Sequence, residues 1–545
     1  MQSLHEKLYH SDDFLIGAEL VSIRGSMAEM SAQKARIFAN DLIASNAIDW
    51  ISITDNAGGN PQMAPQALGK PILYAGKEVV IHLTCKDMNR NGLESEAWSL
   101  HSEGFHNILA MTGDYPVIGN AGVAKPVFDI DSIGLIAMLS EMNSGFNLYT
   151  GKDGGVRQLE KTSFNIGAVT TNFKLLEGEV MPQYHKLKKK VECGAHFIIN
   201  QIGFDSRKQD ELIKYRSECK MDHIPLIGNT YVLNPRVAKV FHKKRIPGVV
   251  VSDELLDLCE KYGNSPDKGK FFFYEFAAKQ MAIFRGLGYK GAYLGGVYDY
   301  EAIDQILEIE KSFGLDDWKD FAKEISYSRN GEFFYYAKDG KTELADESAR
   351  DKTNQSKGKG GVSYSFSKMV HSAMFEEKSP IAKLSTSICK NSKDPSQGPK
   401  FLRGVEKIGK LNMFDCRDCG DCSLPEIAFL CPESACAKNQ RNGPCGGTKD
   451  GQCEVPGIGQ CIWLRAYERL KSDGKENTLL DHAPVVQDQS LRGTSSWANH
   501  WLQRDHAYNT YEHYVPQPKI KAQEKEKTKT KTIYKHSTEE EKSNV

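Results

Sequence analysis

The stretch "FLIGAELV" at residues 14–21 is almost entirely apolar and is broken by one carboxylate, Glu19. Seven further apolar runs follow it along the chain. They are "WISIT" (50–54), "VVIHLTC" (79–85), "NILAMTG" (107–113), "FNIGAVTT" (164–171), "HFIINQIG" (196–203), "IPLIGNTYVL" (224–233) and "YKGAYLGGV" (289–297). Near-continuous runs rich in Ile and Val are typical of parallel strands that are buried on both faces.

The segments between these runs have helical patterns. Examples are "SAQKARIFANDLIAS", "DIDSIGLIAMLSEMNSG" and "MPQYHKLKKKVECG", of which the last two end in glycine, as helices often do. Eight strands that alternate with helices over about 300 residues predict a (β/α)8 barrel. A doubly wound open sheet is the alternative, but no strand is followed by the glycine pattern G-x-G-x-x-G.

The composition is that of a globular protein with more than one domain. The chain has 545 residues, 40% of them hydrophobic and 26% charged, and its net charge is −1. A net charge near zero gives no field that favours nucleic acid or an anionic membrane. No run is long and apolar enough for a membrane span, and the first residues lack the apolar core of a secretory signal. We therefore expect a cytoplasmic protein.

The composition changes along the chain and predicts four regions. Residues 1–318 form the barrel, and 319–365, which include the polar "DESARDKTNQSKGKGGVS", form a linker. The "KGKGG" in this linker is no phosphate loop, because no Gly-Lys-Ser/Thr opens a helix there. Residues 366–512 form a small cysteine-rich, metal-binding α+β domain. Residues 513–545 are poor in apolar side chains and blocky in charge, which indicates a disordered tail.

Eight of the thirteen cysteines are clustered in the last quarter of the chain. They are Cys416, Cys419, Cys422, Cys431, Cys436, Cys445, Cys453 and Cys461. Such clustering in a chain without a secretion signal indicates metal binding before it indicates disulfides. The two-residue gaps within "DCRDCGDC" (415–422) and the proline after Cys431 are typical of iron–sulfur ligand runs. Two iron–sulfur clusters, one cluster with a zinc ion, and two zinc sites all remain open.

Polar side chains within or just after the predicted strands are the candidates for function. They are Glu19, Thr54, Asp55, His82, Asp114 and Gln201. In a (β/α)8 barrel the carboxyl ends of the strands and the loops after them form the active site. Any one of these residues could be a hydrogen-bonded core polar group. Five strands that each supply one favour a shared ligand site.

Three stretches resemble the methylenetetrahydrofolate reductase family. They are "ISITDNAGGN" (51–60), "HLTCKDMNRNGLESEAWSLHSEGFHNILAMTGDYP" (82–116) and "KLKKKVECGAHFIINQIGFD" (186–205), in the family's order and at similar spacing. The similarity covers about residues 10–310. It implies a flavin-binding barrel that reduces 5,10-methylenetetrahydrofolate to 5-methyltetrahydrofolate.

The resemblance also implies roles for individual residues. Glu19 matches the general acid that protonates a folate nitrogen, and Asp114 matches the carboxylate that lies near the flavin ring and binds the pterin. Gln201 matches a residue that contacts the folate ring. The positions that match flavin contacts are Thr54, His82, Gly113, Asp114 and Lys190. An exposed helical lysine is the alternative for Lys190.

The departures from the family bear on the cofactors. Where the family often has Arg-Gly-Asp, this chain has Thr112, Gly113 and Asp114, which removes a cation near the flavin phosphates. FAD is therefore expected, with FMN left open. "AVTTNFKL" lacks a Tyr and a His that many members use on the cofactor, and Leu233 lies where the family has a phenylalanine that meets folate and nicotinamide. NAD(P)H as the electron donor is left open too.

The cysteine-rich segment resembles the C-terminal domain that is fused to, or encoded beside, some members of this family. Such domains are thought to assist flavin reduction, which implies an electron-donor protein as a further partner. The predicted function is a flavin-dependent methylenetetrahydrofolate reductase, with the oligomeric state left open. A pterin-dependent methyltransferase on the same barrel and a non-catalytic electron-transfer or scaffold subunit are the alternatives.

Overall fold

The computed structural model describes residues 2–116, 123–150, 155–243, 246–376 and 378–508. Within these residues the chain forms two compact units. Unit 1 contains the chain up to Ser140, then Ser163–Gly360 and Cys436–Asp481. Unit 2 contains Glu141–Thr162, Gly361–Ala435 and the described residues after 481. The predicted tail, 513–545, lies outside the described residues.

Unit 1 is built on a closed barrel of eight parallel strands. They are β1 (Leu15–Leu20), β2 (Trp50–Ile53), β3 (Glu78–Thr84), β4 (Asn107–Met111), β7 (Asn165–Thr170), β8 (Phe197–Asn200), β9 (Leu226–Tyr231) and β10 (Gly291–Gly295). The order around the barrel follows the chain, and β10 closes it against β1. A hairpin of β5 (Asn147–Thr150) and β6 (Gly155–Gln158) is inserted between β4 and β7.

Each of the eight apolar runs of the sequence contains one barrel strand, with β3 beginning one residue before its run, so the predicted (β/α)8 barrel is confirmed. The helices of unit 1 that precede residue 312 are α1 (Leu4–His10), α2 (Met30–Ala44), α3 (Pro65–Tyr74), α4 (Arg90–Ser102), α5 (Ser132–Ser144, which crosses the boundary to unit 2), α6 (Glu177–Glu192), α7 (Ser206–Glu218), α8 (Pro235–His242), α9 (Asp253–Gly263), α10 (Lys270–Leu287) and α11 (Tyr300–Lys311). Several begin with a side-chain cap; Asp205, for example, accepts a hydrogen bond from the backbone N–H of Lys208.

The first helix packs against the apolar interior of the barrel. Leu4 and Leu8 of α1 are buried in one cluster with residues from seven barrel strands. Those residues are Leu15, Trp50, Val80, Leu109, Phe197, Ile199, Ile227 and Tyr293. Most of them come from the amino-terminal halves of their strands, so the polar residues further along each strand lie towards the opposite, carboxyl-terminal end.

One large side chain in this cluster requires a small neighbour. A Cβ added to Gly17 of β1 would lie 2.0 Å from the ring of Trp50, which is fully buried on the neighbouring strand. Gly17 therefore leaves room for the indole within the barrel, as close packing of the interior requires.

The predicted linker contains regular structure up to residue 350. Helix α12 (Trp318–Glu324) is followed by the antiparallel pair β11 (Tyr336–Lys338) and β12 (Ala345–Arg350). The backbone N–H of Tyr335 donates to Glu211 Oε2 of α7 at 2.6 Å, and Arg207 of α7 forms an ion pair with Asp351 at 2.8 Å. This segment is therefore packed onto the barrel.

A part of the cysteine-rich segment also belongs to unit 1. Helix α17 (Ile462–Ser472) packs against α6, where Tyr467 donates a hydrogen bond to Glu177 at 2.8 Å. A Cβ added to Gly178 of α6 would lie 2.4 Å from Leu464 of α17, so a glycine at this position permits the close approach of the two helices.

Unit 2 is largely helical. Its helices after residue 360 are α13 (Val362–Met374), α14 (Pro380–Lys390), α15 (Lys400–Phe414), α16 (Pro432–Ala435) and α18 (Ser496–Trp501). A small core joins Ala382 and Cys389 of α14 to Ala498 and Trp501 of α18. Among the helices of the described residues, none is both long and apolar enough to cross a membrane.

Candidate functional site

The polar residues predicted from the strands converge at the carboxyl-terminal end of the barrel. Alternate residues of a strand face the same side, so Glu19 faces the interior with Leu15, and His82 with Val80. By the same alternation Thr54 faces the interior with Trp50, and Gln201 with Ile199. The closed barrel thus brings side chains from four strands to one opening.

Glu19 lies in a buried pocket at this opening. The hydroxyl of Tyr293 donates to Glu19 Oε1 over 3.4 Å, and the backbone N–H of Gly296 also donates to the carboxyl group. A Cβ added to Gly295 would lie 3.0 Å from Glu19 Oε2, so a glycine there leaves room for the carboxyl. Burial raises the pKa of Glu19, and the two hydrogen bonds oppose this only in part.

A series of hydrogen bonds connects Glu19 to three other strands. Tyr293 of β10 is hydrogen bonded to Ser52 of β2, and Ser52 Oγ lies 2.8 Å from His82 Nε2 of β3. Burial lowers the pKa of His82 to about 4, so its imidazole is neutral near pH 7. Burial also holds the pKa of Tyr293 well above its usual value, so this hydroxyl keeps its proton.

Asp114 is held by the loop that follows β2. The backbone N–H of Gly58 donates to Asp114 Oδ2 at 2.9 Å. The preceding Gly113 has φ +86°, and a Cβ there would lie 2.9 Å from Thr84. Glycine is therefore required at 113 by both backbone conformation and space, and it determines where Asp114 leaves β4.

Thr54, Asp55 and Gln201 stabilise the loops around the opening. Thr54 Oγ1 accepts the backbone N–H of Ser22 at 3.0 Å, and Asp55 accepts the hydroxyl of Thr84 at 2.6 Å. Burial raises the pKa of Asp55. Gln201 Oε1 accepts the N–H of Ile202 at 2.9 Å, which leaves its amide nitrogen available to a ligand.

Several buried polar atoms at the strand ends have no hydrogen-bond partner among the described residues, and two of them bear on the opening. They are Thr171 Oγ1, after β7, and Asn229 Oδ1 of β9. By alternation both residues face the barrel interior, since Ile227 belongs to its core and Val169 packs against that core. Buried polar groups are nearly always hydrogen bonded, so these atoms fit a polar ligand such as a flavin or a pterin.

Lys190 is buried, and the alternative of an exposed helical lysine is wrong. Its ammonium group donates to the carbonyl oxygen of Val169 on β7. Burial, together with the nearby charge of Lys186, lowers the pKa of Lys190 to about 7. The lysine thus lies between α6 and the barrel wall, where burial favours its neutral amine over the ammonium.

Two further buried lysines join the barrel to the segment 436–454. Lys174 Nζ donates to the carbonyl of Gly446 at 2.5 Å, and Lys186 Nζ donates to that of Pro444 at 3.1 Å. Burial lowers the pKa of both lysines. Neither lysine could be identified from the sequence, because nothing in "TTNFKLL" (170–176) or "MPQYHKLKKKVE" (181–192) distinguishes a buried lysine from an exposed one.

Lys438 brings a cation from this segment to the turn that contains Asp114. Its Nζ donates to the carbonyl of Gly113 at 2.8 Å and forms a buried ion pair with Glu454. Burial disfavours the ammonium, but Glu454, Cys445 and Asp114 outweigh that effect and raise the pKa of Lys438. A cation is therefore present beside the position where Thr112 replaces the expected arginine.

The eight clustered cysteines are divided between the two units. The first cysteine set is in unit 2 and comprises Cys416, Cys419, Cys422 and Cys431. The second cysteine set is in unit 1 and comprises Cys436, Cys445, Cys453 and Cys461. All eight are free thiols, so none is used in a disulfide. Each unit thus has the number of thiols that one four-cysteine metal site needs.

Electrostatic effects act within each set. Burial raises the pKa of Cys436, Cys453 and Cys461, and the nearby Cys445 raises it further. Burial and the neighbouring Cys422 and Cys431 raise the pKa of Cys416. As these side chains are placed, no group of three or more His, Cys, Asp or Glu within the described ranges is arranged to hold a metal ion.

Two family models match the chain. The model described as "Methylenetetrahydrofolate reductase" matches residues 33–308, which is just over half of the chain. The model described as "Methylene-tetrahydrofolate reductase C terminal" matches residues 396–489, which include all eight clustered cysteines.

Individual relatives are more distant. The chain is similar to 5,10-methylenetetrahydrofolate reductase from Salmonella typhimurium (strain LT2), with 24% identity over 181 residues, 33% of this chain and 52% of the relative. The match thus spans about half the length of that relative.

Solved structures resemble the chain only weakly. An uncharacterized protein from Clostridium thermocellum that binds two copies of 5-methyl-5,6,7,8-tetrahydrofolic acid has a TM-score of 0.41 at 11% identity, covering 56% of this chain and 97% of that one. A putative deoxyribose-phosphate aldolase from Toxoplasma gondii ME49 has a TM-score of 0.28 at 13% identity, covering 57% and 97%. These TM-scores are too low to assign a ligand or a reaction to this chain.

The buried Lys190 predicts a change of stability with pH. Its pKa is about 7 in the folded protein, against ~10.4 in the unfolded chain, so the unfolded chain binds more protons between these values. Its destabilising effect therefore decreases as pH rises. We expect Lys190→Met to raise the free energy of unfolding at pH 7, and this gain to shrink by about 2 kcal/mol at pH 9.

Denaturant unfolding at pH 7, 8 and 9 measures this effect. Lys188→Met is the matched control, since Lys188 is exposed on the same helix and its replacement should give no pH-dependent difference. A gain for Lys190→Met that is constant with pH would contradict the prediction.

Proposed function

Because this chain belongs to the methylenetetrahydrofolate reductase family, we propose that it reduces 5,10-methylenetetrahydrofolate to 5-methyltetrahydrofolate. The observation that carries the proposal is the buried carboxyl group of Glu19, whose pKa is raised at the opening of the barrel. A general acid must keep its proton near neutral pH, and burial allows a carboxyl group to do so.

Glu19 is the proton donor in this proposal. Its carboxyl group protonates a ring nitrogen of the folate, so that the methylene bridge opens to an iminium that can accept hydride. The hydroxyl of Tyr293 and the N–H of Gly296 hold the carboxyl group in position. Both donors also stabilise the carboxylate that remains after proton transfer.

The hydrogen bonds from Tyr293 through Ser52 to His82 keep this donor oriented. Tyr293 keeps its proton because its pKa is well above the usual value, so its hydroxyl can donate to Glu19. Neutral His82 accepts from or donates to Ser52 according to its tautomer. The three side chains therefore act as positioning residues for Glu19.

Asp114 and Gln201 are the proposed substrate-binding residues. Asp114 lies in the turn after β4, where its carboxyl group would orient the pterin and stabilise a cationic iminium. The amide nitrogen of Gln201 is free to bind the folate ring. Thr171 and Asn229, whose side-chain oxygens lack partners within the described part of the chain, are further candidates for ligand contacts that the sequence did not single out.

A flavin bound at the same opening would supply the hydride. Thr54, His82, Gly113, Asp114 and Lys190 are the residues proposed to hold it. Lys438 provides the cation that Thr112 does not, which supports a phosphate-bearing cofactor but does not distinguish FAD from FMN. NAD(P)H is one proposed source of electrons.

The cysteine sets are the other proposed route for electrons. The second set lies in the same compact unit as Glu19 and Asp114, which supports a metal site that serves the barrel. Iron–sulfur clusters at the two sets would supply one-electron transfer, whereas zinc ions would have only a structural role.

Substituting Glu19 tests the acid. In Glu19→Gln we expect loss of folate reduction, by at least a hundredfold, because a carboxamide donates no proton. The flavin should remain bound and reducible, as its absorbance would show. Glu96→Gln on α4, which removes a half-buried carboxyl of the outer helix layer, should keep full activity. Unchanged turnover in Glu19→Gln would refute the assignment, and a purified native chain without flavin would favour the methyltransferase alternative.

Substituting Tyr293 tests the positioning residues. Its hydroxyl lowers the pKa of Glu19, so Tyr293→Phe should raise that pKa and move the alkaline limb of the pH–rate profile to higher pH. Tyr289→Phe is the control, since Tyr289 is also buried but donates to the carbonyl of Gln209. A profile that stays in place in Tyr293→Phe would rule out the coupling to Glu19.

Metal analysis tests the two cysteine sets. If each set holds its own site, Cys419→Ser and Cys445→Ser should each remove about half of the bound metal from anaerobically purified protein, and their absorbance spectra identify iron–sulfur clusters. Cys193→Ser, a cysteine outside both sets, should leave the metal content unchanged. Native protein without iron or zinc would refute metal binding.

A further inference from the structure

Three helices of unit 2 each expose a row of large apolar side chains. On α13 they are Val362, Phe366 and Met369; on α14, Ile381, Leu384 and Ile388; and on α15, Phe401, Val405, Ile408 and Leu411. Spacings of three and four residues place each row on one side of its helix. We refer to these ten residues as the α13–α15 face.

Apolar exposure of this extent is unusual for a protein surface. Val362 is 88% exposed and Phe401 is 78% exposed, although both side chains are large and apolar. Single exposed apolar residues are common, but rows of them on successive helices mark sites where another molecule binds.

The three helices themselves carry exposed charges of one sign, although Lys407 is paired with Asp418 just beyond α15. The exposed charged side chains of the three helices are Lys368, Lys383, Lys390, Lys400 and Lys407. The only acidic residue in these helices, Glu406, is buried and forms ion pairs with Arg403 and Lys410. A partner that fits the face therefore has an apolar centre and an acidic rim.

Two occupants from the chain itself fit poorly. A second copy would bring the same lysines together, and like charges oppose association. The residues from 509 onward contain eight lysines against six glutamates and few apolar side chains, so this part of the chain has the wrong sign and composition.

Helix α15 connects the face to the first cysteine set. Its exposed row includes Ile408, and its opposite side carries Arg403, Glu406 and Lys410. The buried Lys410 on this opposite side is hydrogen bonded to Cys422 of the first cysteine set. A molecule on the face would therefore be one helix away from these thiols.

We propose that the α13–α15 face is the docking site of a small acidic electron-carrier protein. This inference rests on the proposed function, because the reaction needs a reductant. Each methylene bridge that is reduced takes up two electrons and two protons, so two molecules of a one-electron carrier dock and are oxidised in turn. The apolar rows supply the contact area, and the lysines orient the acidic carrier.

Binding of an acidic ferredoxin to the full-length protein tests the proposal. We expect Ile408→Glu and Lys407→Glu each to weaken binding at least tenfold, and binding of the native chain to weaken between 50 and 300 mM NaCl. The matched controls are Ile37→Glu and Lys34→Glu, exposed residues of the same types on α2 of the barrel, which should bind as the native chain does.

Several results would overturn the proposal. The first two are that the native chain binds no ferredoxin, or that Ile408→Glu binds it as tightly as the native chain does. The other two are that Ile408→Glu abolishes binding of the native chain to phosphatidylserine vesicles, or that it dissociates a dimer of the native chain; the face would then bind a membrane or a second copy. Folate reduction with a reduced viologen dye is measured in parallel. Because the dye needs no docking site, Ile408→Glu should retain this activity, and a native chain inactive with the dye would contradict the proposed function independently of the docking site.

Discussion

The alternation of side chains in a closed parallel barrel is the constraint on which the rest of this structure depends. Leu15, Trp50 and Val80 face the apolar interior. Because alternate residues of a strand face the same side, Glu19, Ser52 and His82 must face it too. Closure of β10 against β1 then brings Tyr293 next to Glu19. The buried carboxyl group and the side chains that hold it are thus a direct result of strand register.

Much of the barrel could be predicted from the sequence, because strands buried on both faces leave continuous apolar runs. The same runs revealed Glu19, His82 and Gln201 as polar exceptions. The sequence also located Asp114, through the Gly113 that precedes it. Ser52 and Tyr293 were not distinguished, because a serine or a tyrosine within a strand is as common in a core as in a site.

The lysines that contact the C-terminal segment could not be predicted for a different reason. Lys174 and Lys186 become buried only when residues 436–454, more than 200 positions further along the chain, pack against them. From its composition, the segment 436–481 is expected to belong to one domain with the other clustered cysteines. In the structure it packs in the same unit as the barrel. Local sequence patterns do not contain such long-range contacts, and the hairpin β5–β6 was missed because its strands are short.

The C-terminal segment contacts the barrel through Lys438, which binds Gly113, and through Tyr467, which binds Glu177. These contacts have a consequence for making the two parts as separate polypeptides. A polypeptide that stopped after the barrel would leave several charged groups solvated where they are now enclosed, and would lose the cation beside Asp114. If the two parts were separate polypeptides, the smaller one would have to be made in equal amounts and assembled early. A fused reading frame removes that requirement, since the two parts are synthesised in a fixed one-to-one ratio.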